Sequence, residues 1–293
     1  MFTLAHLSDV HLAPLPRPRI GDLMGKRITG YINWLRKRRR VHDRAVLDFL
    51  VDDLEAQAPD HIAVTGDIAN IALEEEFVRG RKWLQQVGSF KDVSFVPGNH
   101  DAYVRQAVRY APQWAPYMTG DGGQIGFPYV RRRGPVALIG LSTAVATAPF
   151  MATGRLGEAQ VKALRPLLDT LKGEGLYRVI LIHHPPVTKA DSHKRLLDAW
   201  ALLEAIAAHG AELLLHGHDH LHMLNWLPGP NGARVPAVGV PSASSARGMS
   251  HDDAAYNLYR IDGAPGAFAC TMVSRGIGAS GRIEESAPVT LAP

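Results

Sequence analysis

Five short apolar stretches of this chain each stop on a cluster of Asp, Asn or His, and that repetition constrains the fold more than any other feature. Phe2–Ser8 runs into Asp9-Val10-His11, His61–Thr65 into Gly66-Asp67, and Val93–Val96 into Pro97-Gly98-Asn99-His100-Asp101. Arg178–Ile182 runs into His183-His184-Pro185-Pro186, and Glu212–Leu215 into His216-Gly217-His218-Asp219-His220. Short apolar runs bounded by Gly and Pro predict strands. Val41–Ala56 and Glu74–Val87, between the first three, carry helical spacing. Alternating strand and helix is the signature of a parallel sheet with crossover helices, so the expected class is α/β.

The pattern falters and then resumes. Residues 102–134, rich in Gly, Pro and Tyr, read as an irregular excursion. A strand is expected at Val136–Leu141, with helices at Gly157–Leu171 and Lys194–His209. Further short strands are expected at Met223–Leu227, Arg234–Val240, Ala255–Ile261 and Ala267–Val273. The Gly, Ser and Pro-rich tail, 274–293, is expected to be poorly ordered. That leaves one domain over residues 1–273, a size its 46% hydrophobic content can supply with a core. A lone Cys270 excludes an intrachain disulfide framework and fits a reducing compartment. No run approaches the roughly 20 apolar residues of a membrane span. Phe2–Leu7 is too short for a secretory leader, so the expected address is cytoplasmic.

In open α/β sheets the carboxyl ends of the strands face a common crevice. Asp9, His11, Asp67, Asn99, His183, His218 and His220 would therefore converge there, with His100 beside them. Carboxylate, imidazole and amide oxygen suit divalent Mn, Fe, Zn or Ni, and no second cysteine exists for a thiolate cluster. Asp67, in a tight Gly66-Asp67 turn, is the natural carboxylate to bridge two ions. Such a pair, roughly 3.5–4 Å apart, suits in-line displacement at phosphorus. His184 reads as a supporting imidazole that donates to a carbonyl. Asp101 is expected to orient His100 or a loop amide, and His216 and His222 to line the rim. Arg155 and Lys189 are loop cations, read as solvated. His6, His42, His61, His193, His209 and His251 receive no role.

In this order Asp-x-His, Gly-Asp, Gly-Asn-His-Asp, His-His-Pro-Pro and Gly-His-x-His resemble the calcineurin-like metallophosphoesterase superfamily over residues 5–222. Within it the likeness is nearest to bacterial cyclic-nucleotide and glycerophosphodiester phosphodiesterases. The resemblance implies a four-layer α/β/β/α sandwich, with the strands up to about residue 273 completing its second sheet. It implies one ion on Asp9, His11, Asp67 and His220, and another on Asp67, Asn99, His183 and His218. His100 would be the catalytic residue, stabilising the transition state or protonating the leaving oxygen. The implied reaction is hydrolysis of a small phosphodiester, such as a cyclic nucleotide, by metal-bound hydroxide. One alternative is a membrane-surface pyrophosphatase of a nucleotide-lipid such as UDP-2,3-diacylglucosamine. Another is an inactive metal-binding scaffold, which the intact His100 and full ligand set oppose.

Residues 17–40 are the remaining signal. Nine Lys or Arg and one acid give them a net of +8, leaving −4 for the rest of a chain whose total is +4. Ile20, Leu23, Met24, Ile28, Tyr31, Ile32 and Leu35 recur at helical spacing, though three glycines interrupt it. The segment reads as a basic amphipathic insertion near the site. Trp34, Leu35 and Arg36–Arg40 predict peripheral contact with an anionic membrane, at its inner face. Since no metal ligand lies within it, neutralising Arg36–Arg40 is expected to spare activity. A nucleic-acid partner is disfavoured, because aromatic interleaving ends with Tyr31 and Trp34.

Overall fold

The computed structural model describes residues 1–249 and 252–291. Among these the strands form two sheets. The first runs β12 (Ile283–Glu285), β11 (Ala267–Ile277), β10 (Ala255–Ala264), β1 (Phe2–Leu7), β2 (His61–Val64), β3 (Val93–Phe95), with β13 (Val289–Thr290) beside β11. The second runs β4 (Tyr129–Arg133), β5 (Val136–Gly140), β6 (Tyr177–Leu181), β7 (Leu213–His216), β9 (Arg234–Gly239), β8 (Met223–Pro228). The motif-bearing strands pair in parallel, β1 with β2 and β2 with β3 in one sheet, β6 with β7 in the other. Their carboxyl ends therefore open on the same side of each sheet. The helices are α1 (Lys26–Asn33), α2 (Arg39–Val41), α3 (Arg44–Ala56), α4 (Glu74–Val87), α5 (Glu158–Gly173) and α6 (Ala199–His209).

Period-two alternation divides each strand between two cores. Phe2 and Leu4 of β1 join Leu138, Val179 and Leu181 between the sheets. Ala5 and Leu7 face the other way, toward Leu47, Leu50 and Leu54 of α3 and Phe77 and Leu84 of α4. Ile139, Ile180 and Leu214 likewise meet Leu164 and Leu168 of α5 and Leu202 and Ile206 of α6. Three cores separate four layers, α/β/β/α.

Several expectations need correction. β10 and β11 complete the first sheet rather than the second. β10 lies antiparallel to β1, from Phe2↔Ile261 to His6↔Asn257. Its residues explain the choice: Tyr256 and Leu258 fill the outer core and Tyr259 and Ile261 the inner one, which only a two-sided slot accommodates. The tail from residue 274 is also structured. β11 continues to Ile277, β12 and β13 pair with it, and Leu291 is buried; Ala292 and Pro293 lie outside the described residues. Residues 102–134 hold 3-10 helices at Arg105–Arg109 and Ala111–Met118 before β4. Buried Trp114 anchors them, its indole stacked on Phe77 at 4.4 Å and donating to Phe77 O at 2.9 Å. α3 starts at Arg44 because Asp43 caps it, accepting from the Ala45 amide at 2.8 Å. α6 starts at Ala199, since Asp198 is committed to the amides of Leu156 and Gly157.

Candidate metal centre

The loops after β1 and β2 run side by side, Asp9 N donating to Gly66 O at 3.0 Å and His11 N to Asp67 O at 2.8 Å. Across the gap between the sheets, the His218 amide donates to Asp9 Oδ2 at 2.9 Å. The same residues adopt backbone conformations that side chains disfavour. Asp9, His11, Asp67, His218 and His220 all have φ between 40° and 73°. Left-handed non-glycine residues each carry a cost that persists only where surroundings impose it, and they cluster at functional sites. The glycines in these loops answer a different need. A Cβ on Gly98 would collide with the Asp67 carboxylate, and one on Gly217 with Ser8 and Asp9.

Asp9 and Asp67 are buried, and among the described residues neither pairs with Lys or Arg. Burial opposes their charge, yet His220 on Asp9 and His183 on Asp67 outweigh it, holding both below the usual carboxylate range. His220 Nε2 lies 3.0 Å from Asp9 Oδ1, and His183 Nε2 lies 3.4 Å from Asp67 Oδ2 and 3.2 Å from Asn99 Oδ1. Burial also works against an imidazolium at His183, but Asp67 and Asp9 push its pKa up to about 10.

Three imidazoles are oriented from behind. His11 Nδ1 donates to Ala69 O at 3.1 Å, His183 Nδ1 to Thr65 O at 2.6 Å, and His218 Nε2 to Lys194 O at 2.8 Å. Because a carbonyl accepts only, the facing nitrogen must carry the proton, so once the ring is neutral the other nitrogen has a lone pair; for His183 a cation must first displace the proton that Asp67 and Asp9 favour. Among the described residues His11 Nε2 is buried without a hydrogen-bond partner, 3.8 Å from Asp9 Oδ1 and 3.9 Å from Asp67 Oδ2. An unsatisfied imidazole nitrogen aimed between two buried carboxylates that no Lys or Arg among the described residues neutralises fits a divalent cation. Potential ligand atoms cluster within 4.8 Å of one another in Asp9/His11/His220, in Asp9/Asp67/His183 and in His11/Asp67/His100. Asn99 joins through its amide oxygen. His218 stands just outside these clusters, its ring 5.2 Å from that of His183.

The supporting residues fall into place around them. Asp101 does not touch His100; it accepts from the amides of Asp67 (2.8 Å), Gly98 (2.9 Å) and Ala69 (2.9 Å) and so sets the Asp67 turn. Burial, with Asp67 beside it, raises the Asp101 carboxyl to about 7. Glu76 acts similarly one turn on, accepting from the amides of Asn70, Ile71 and Leu73. His184 bonds Thr143 Oγ1 at 2.7 Å and donates to Ala152 O at 3.1 Å. His222 and Lys189 line the cleft, whereas His216, expected at the rim, is buried and does not line it. His251 lies outside the described residues.

The sequence reading missed Arg38 and His42. The basic segment is not one amphipathic helix but a 3-10 turn (Ile20–Leu23), α1, a π-helical turn at Trp34–Arg38, and α2. Trp34, expected at a lipid boundary, is buried, its ring parallel to His42 at 6.4 Å. Arg38, expected among exposed cations, turns inward: Nη1 donates to His100 Nε2 at 2.6 Å and Nη2 to His42 Nε2 at 3.3 Å. Burial and the Arg38 charge lower His100 to about 3. The signal that could have found them is the i, i+4, i+8 ladder Trp34, Arg38, His42. Arg38 and His42 line a cleft of about 1130 Å³ together with Asp67, Asn99 and His100, and Trp34 is buried behind His42.

Residues 2–222 match the calcineurin-like phosphoesterase family, to which the chain therefore belongs. Among proteins of curated function none matches this sequence. Of solved structures, a dimetal phosphatase of Danio rerio superimposes with a TM-score of 0.62 at 16% identity, covering 99% of this chain and 98% of that one. GAP50, the anchor in the inner membrane complex of Plasmodium, superimposes with a TM-score of 0.53 at 13% identity, covering 99% and 88%. At these identities the likeness is one of fold. The family and the clustered donors define a metal-dependent phosphoesterase centre.

Proposed function

We propose that this chain is a binuclear metal-dependent phosphodiesterase acting on a small phosphodiester, with a cyclic nucleotide as the leading example. The observation that carries the reading is the partnerless His11 Nε2 between the Asp9 and Asp67 carboxylates, on loops strained to bring them together. Asp9, His11, Asp67 and His220 would hold one ion, and Asp67, Asn99, His183 and His218 the other. When bound, two such ions supply Lewis acidity toward phosphoryl oxygens and make water nucleophilic near neutral pH. The protein's own part is orientation. Carbonyl contacts fix His11, His183 and His218, and Asp101 fixes the Asp67 turn. His100, with Nδ1 donating to Asn70 O and Nε2 accepting from Arg38, stands in the cleft lining, where Nε2 would have to gain a proton to meet the phosphoryl group or leaving oxygen.

A panel with manganese tests this: a bis-aryl phosphate, the matching monoester, cyclic AMP and a UDP-lipid. The expected result is a preference for diesters, two ions per chain by elemental analysis, and loss of turnover on chelation. A monoester cleaved with a tenfold higher kcat/KM overturns the diesterase assignment. Full turnover with at most one bound metal overturns the binuclear one.

One observation favours a second reading, a pyrophosphatase of a nucleotide-lipid at a membrane surface. Ile20, Met24, Ile28, Ile32 and Leu35 are exposed along the segment that borders the cleft, with Ile20 94% and Met24 78% accessible. Val187, Leu224 and Met249, also exposed, line the cleft itself. Exposed apolar side chains beside clustered cations suit a lipid boundary. No helix among the described residues is long and apolar enough to cross a membrane. Hydrolysis of the UDP-lipid at least tenfold faster than any soluble diester would favour this reading over the first.

A further inference from the structure

We propose that Arg38 grips the phosphoryl group of the substrate beside the metal centre and so selects anionic phosphoesters; the inference rests on the phosphoesterase reading above. Its guanidinium lies between two imidazoles, each of which presents an acceptor nitrogen. His100 Nδ1 faces Asn70 O, and His42 Nδ1 lies 2.9 Å from Ser244 Oγ. Among the described residues no carboxylate lies within ion-pair distance of Arg38, in contrast to Arg178 on Glu212 or Arg275 on Asp53. A guanidinium held against imidazole nitrogens, with no carboxylate in ion-pair contact, keeps donors that an anion would take up. The planar fork of donors matches phosphoryl oxygens two at a time.

The position is also right. Arg38 touches His100, whose amide donates to Asp67 Oδ1 at 2.7 Å, so the guanidinium stands next to the proposed bridging carboxylate. Two neighbouring cations are differently committed, whereas Lys37, Lys189 and Lys194 also line the cleft. Lys26 donates to Thr147 Oγ1 at 2.6 Å and Met151 O at 2.9 Å, and Arg27 to the carbonyls of Ile71 and Ala72.

The backbone that delivers Arg38 is irregular in a way that calls for a cause. π-helical turns are rare, less favourable than α-helix, and concentrated at functional sites. This one seats Trp34 on His42 and ends at Arg38. It is then pinned by Asp43 N to Ser244 O at 2.8 Å and Ala246 N to Val41 O at 2.6 Å. An arginine with only a surface role needs none of this. An entering phosphoryl anion would exchange the neutral nitrogens around Arg38 for charged oxygens, without moving the backbone.

The test uses the metal-loaded chain, with inorganic phosphate as binding probe and bis(4-nitrophenyl) phosphate as substrate. Arg38→Ala should keep its metal content, bind phosphate at least tenfold more weakly, and lose roughly 10²–10³ in kcat/KM, the usual scale for one transition-state donor. Arg38→Lys should recover part of both, and millimolar guanidinium should partly rescue Arg38→Ala. Arg39→Gln, one residue on and exposed, should stay within about twofold. Where Arg38→Ala fails to fold, Arg38→Gln takes its place. Unchanged phosphate affinity in the Arg38 variant overturns the proposal, as does an equal loss in Arg39→Gln. If the wild type cleaves no phosphoester while its phosphate affinity still depends on Arg38, the phosphoesterase reading falls and this proposal stands.

Discussion

The strand-end loops and the segment 17–42 border the same cleft, yet they are built on opposite principles. In the loops nearly everything chemical is buried: Asp9, His11, Asp67, Asn99 and His183 are almost inaccessible, and backbone groups orient most of them. In the segment only the inner side is held, through Arg27, Trp34, Arg38 and His42, while its outer side leaves five large apolar residues in solvent. Metal ligands must be placed within a fraction of an ångström, and strand ends fixed by a sheet can do that. A helical flap pinned at a few points can instead vary its outer face without disturbing the centre.

The comparison breaks most directly at Asp67. Its carboxylate accepts the His100 amide and faces both His183 and His11, so Asp67→Ala should remove a shared ligand and a loop anchor together. We expect bound metal to fall from two ions to at most one, and kcat/KM to fall by more than about 10³-fold, beyond the loss of a single positioned donor. Two retained ions with activity within tenfold of wild type would move the bridge elsewhere, with Asp9, common to two of the three clusters, the first candidate.

His100→Ala separates holding metal from using it. Metal content should be unchanged while kcat falls by roughly 10²–10⁴. Unaltered turnover would remove His100 from the catalytic group. On the other side of the cleft, Trp34→Ala probes the segment's inner anchor. Truncating a buried Trp costs about 3–5 kcal/mol where the site cannot collapse, which thermal melting would register. With Arg38 and His42 less firmly seated, kcat/KM should drop about tenfold at full metal content, a mild case of misplaced positioning groups. Activity equal to wild type would mean that Trp34 does not seat Arg38.

The two regions also differ in how much of them the sequence discloses. Each strand-end loop couples a periodic apolar run to polar residues at its carboxyl end, so periodicity alone says where Asp9, Asp67, Asn99 and His183 must point. The segment obeys no single period. Its π turn adds a residue to the helical repeat; Leu35 is exposed as the amphipathic reading expects, but Trp34 is buried, contrary to it. His42 was equally hard to distinguish from His61, an imidazole that only bonds Ser94 Oγ at 2.8 Å. What separates them is proximity to residues far along the chain, which local pattern does not encode. β10 was misassigned for the same reason, because its place beside β1 depends on a free edge created nearly the whole chain earlier.

The smallest expected effect is the sharpest test of whether the segment really has two independent faces. Arg36, Arg39 and Arg40 are exposed, whereas Arg38 reaches His100 and Lys37 lines the cleft. Neutralising all of Arg36–Arg40 would therefore strike the site as well as the surface, so sparing activity requires leaving Arg38 and Lys37 in place. We predict that the triple change Arg36→Gln, Arg39→Gln, Arg40→Gln leaves kcat/KM on a soluble aryl diester within about threefold, since exposed charges act through screened water. Its effect should appear instead in co-sedimentation with anionic vesicles. Each basic residue near such a surface contributes on the order of 1 kcal/mol, so losing three weakens binding by roughly 100-fold. Wild-type binding should itself fade as salt rises and be absent on neutral vesicles. A wild type that ignores anionic vesicles at low salt removes the lipid-facing role from Ile20, Met24, Ile28, Ile32 and Leu35. A tenfold loss of soluble turnover in the triple variant means the outer charges act on the cleft, and the division between the faces fails.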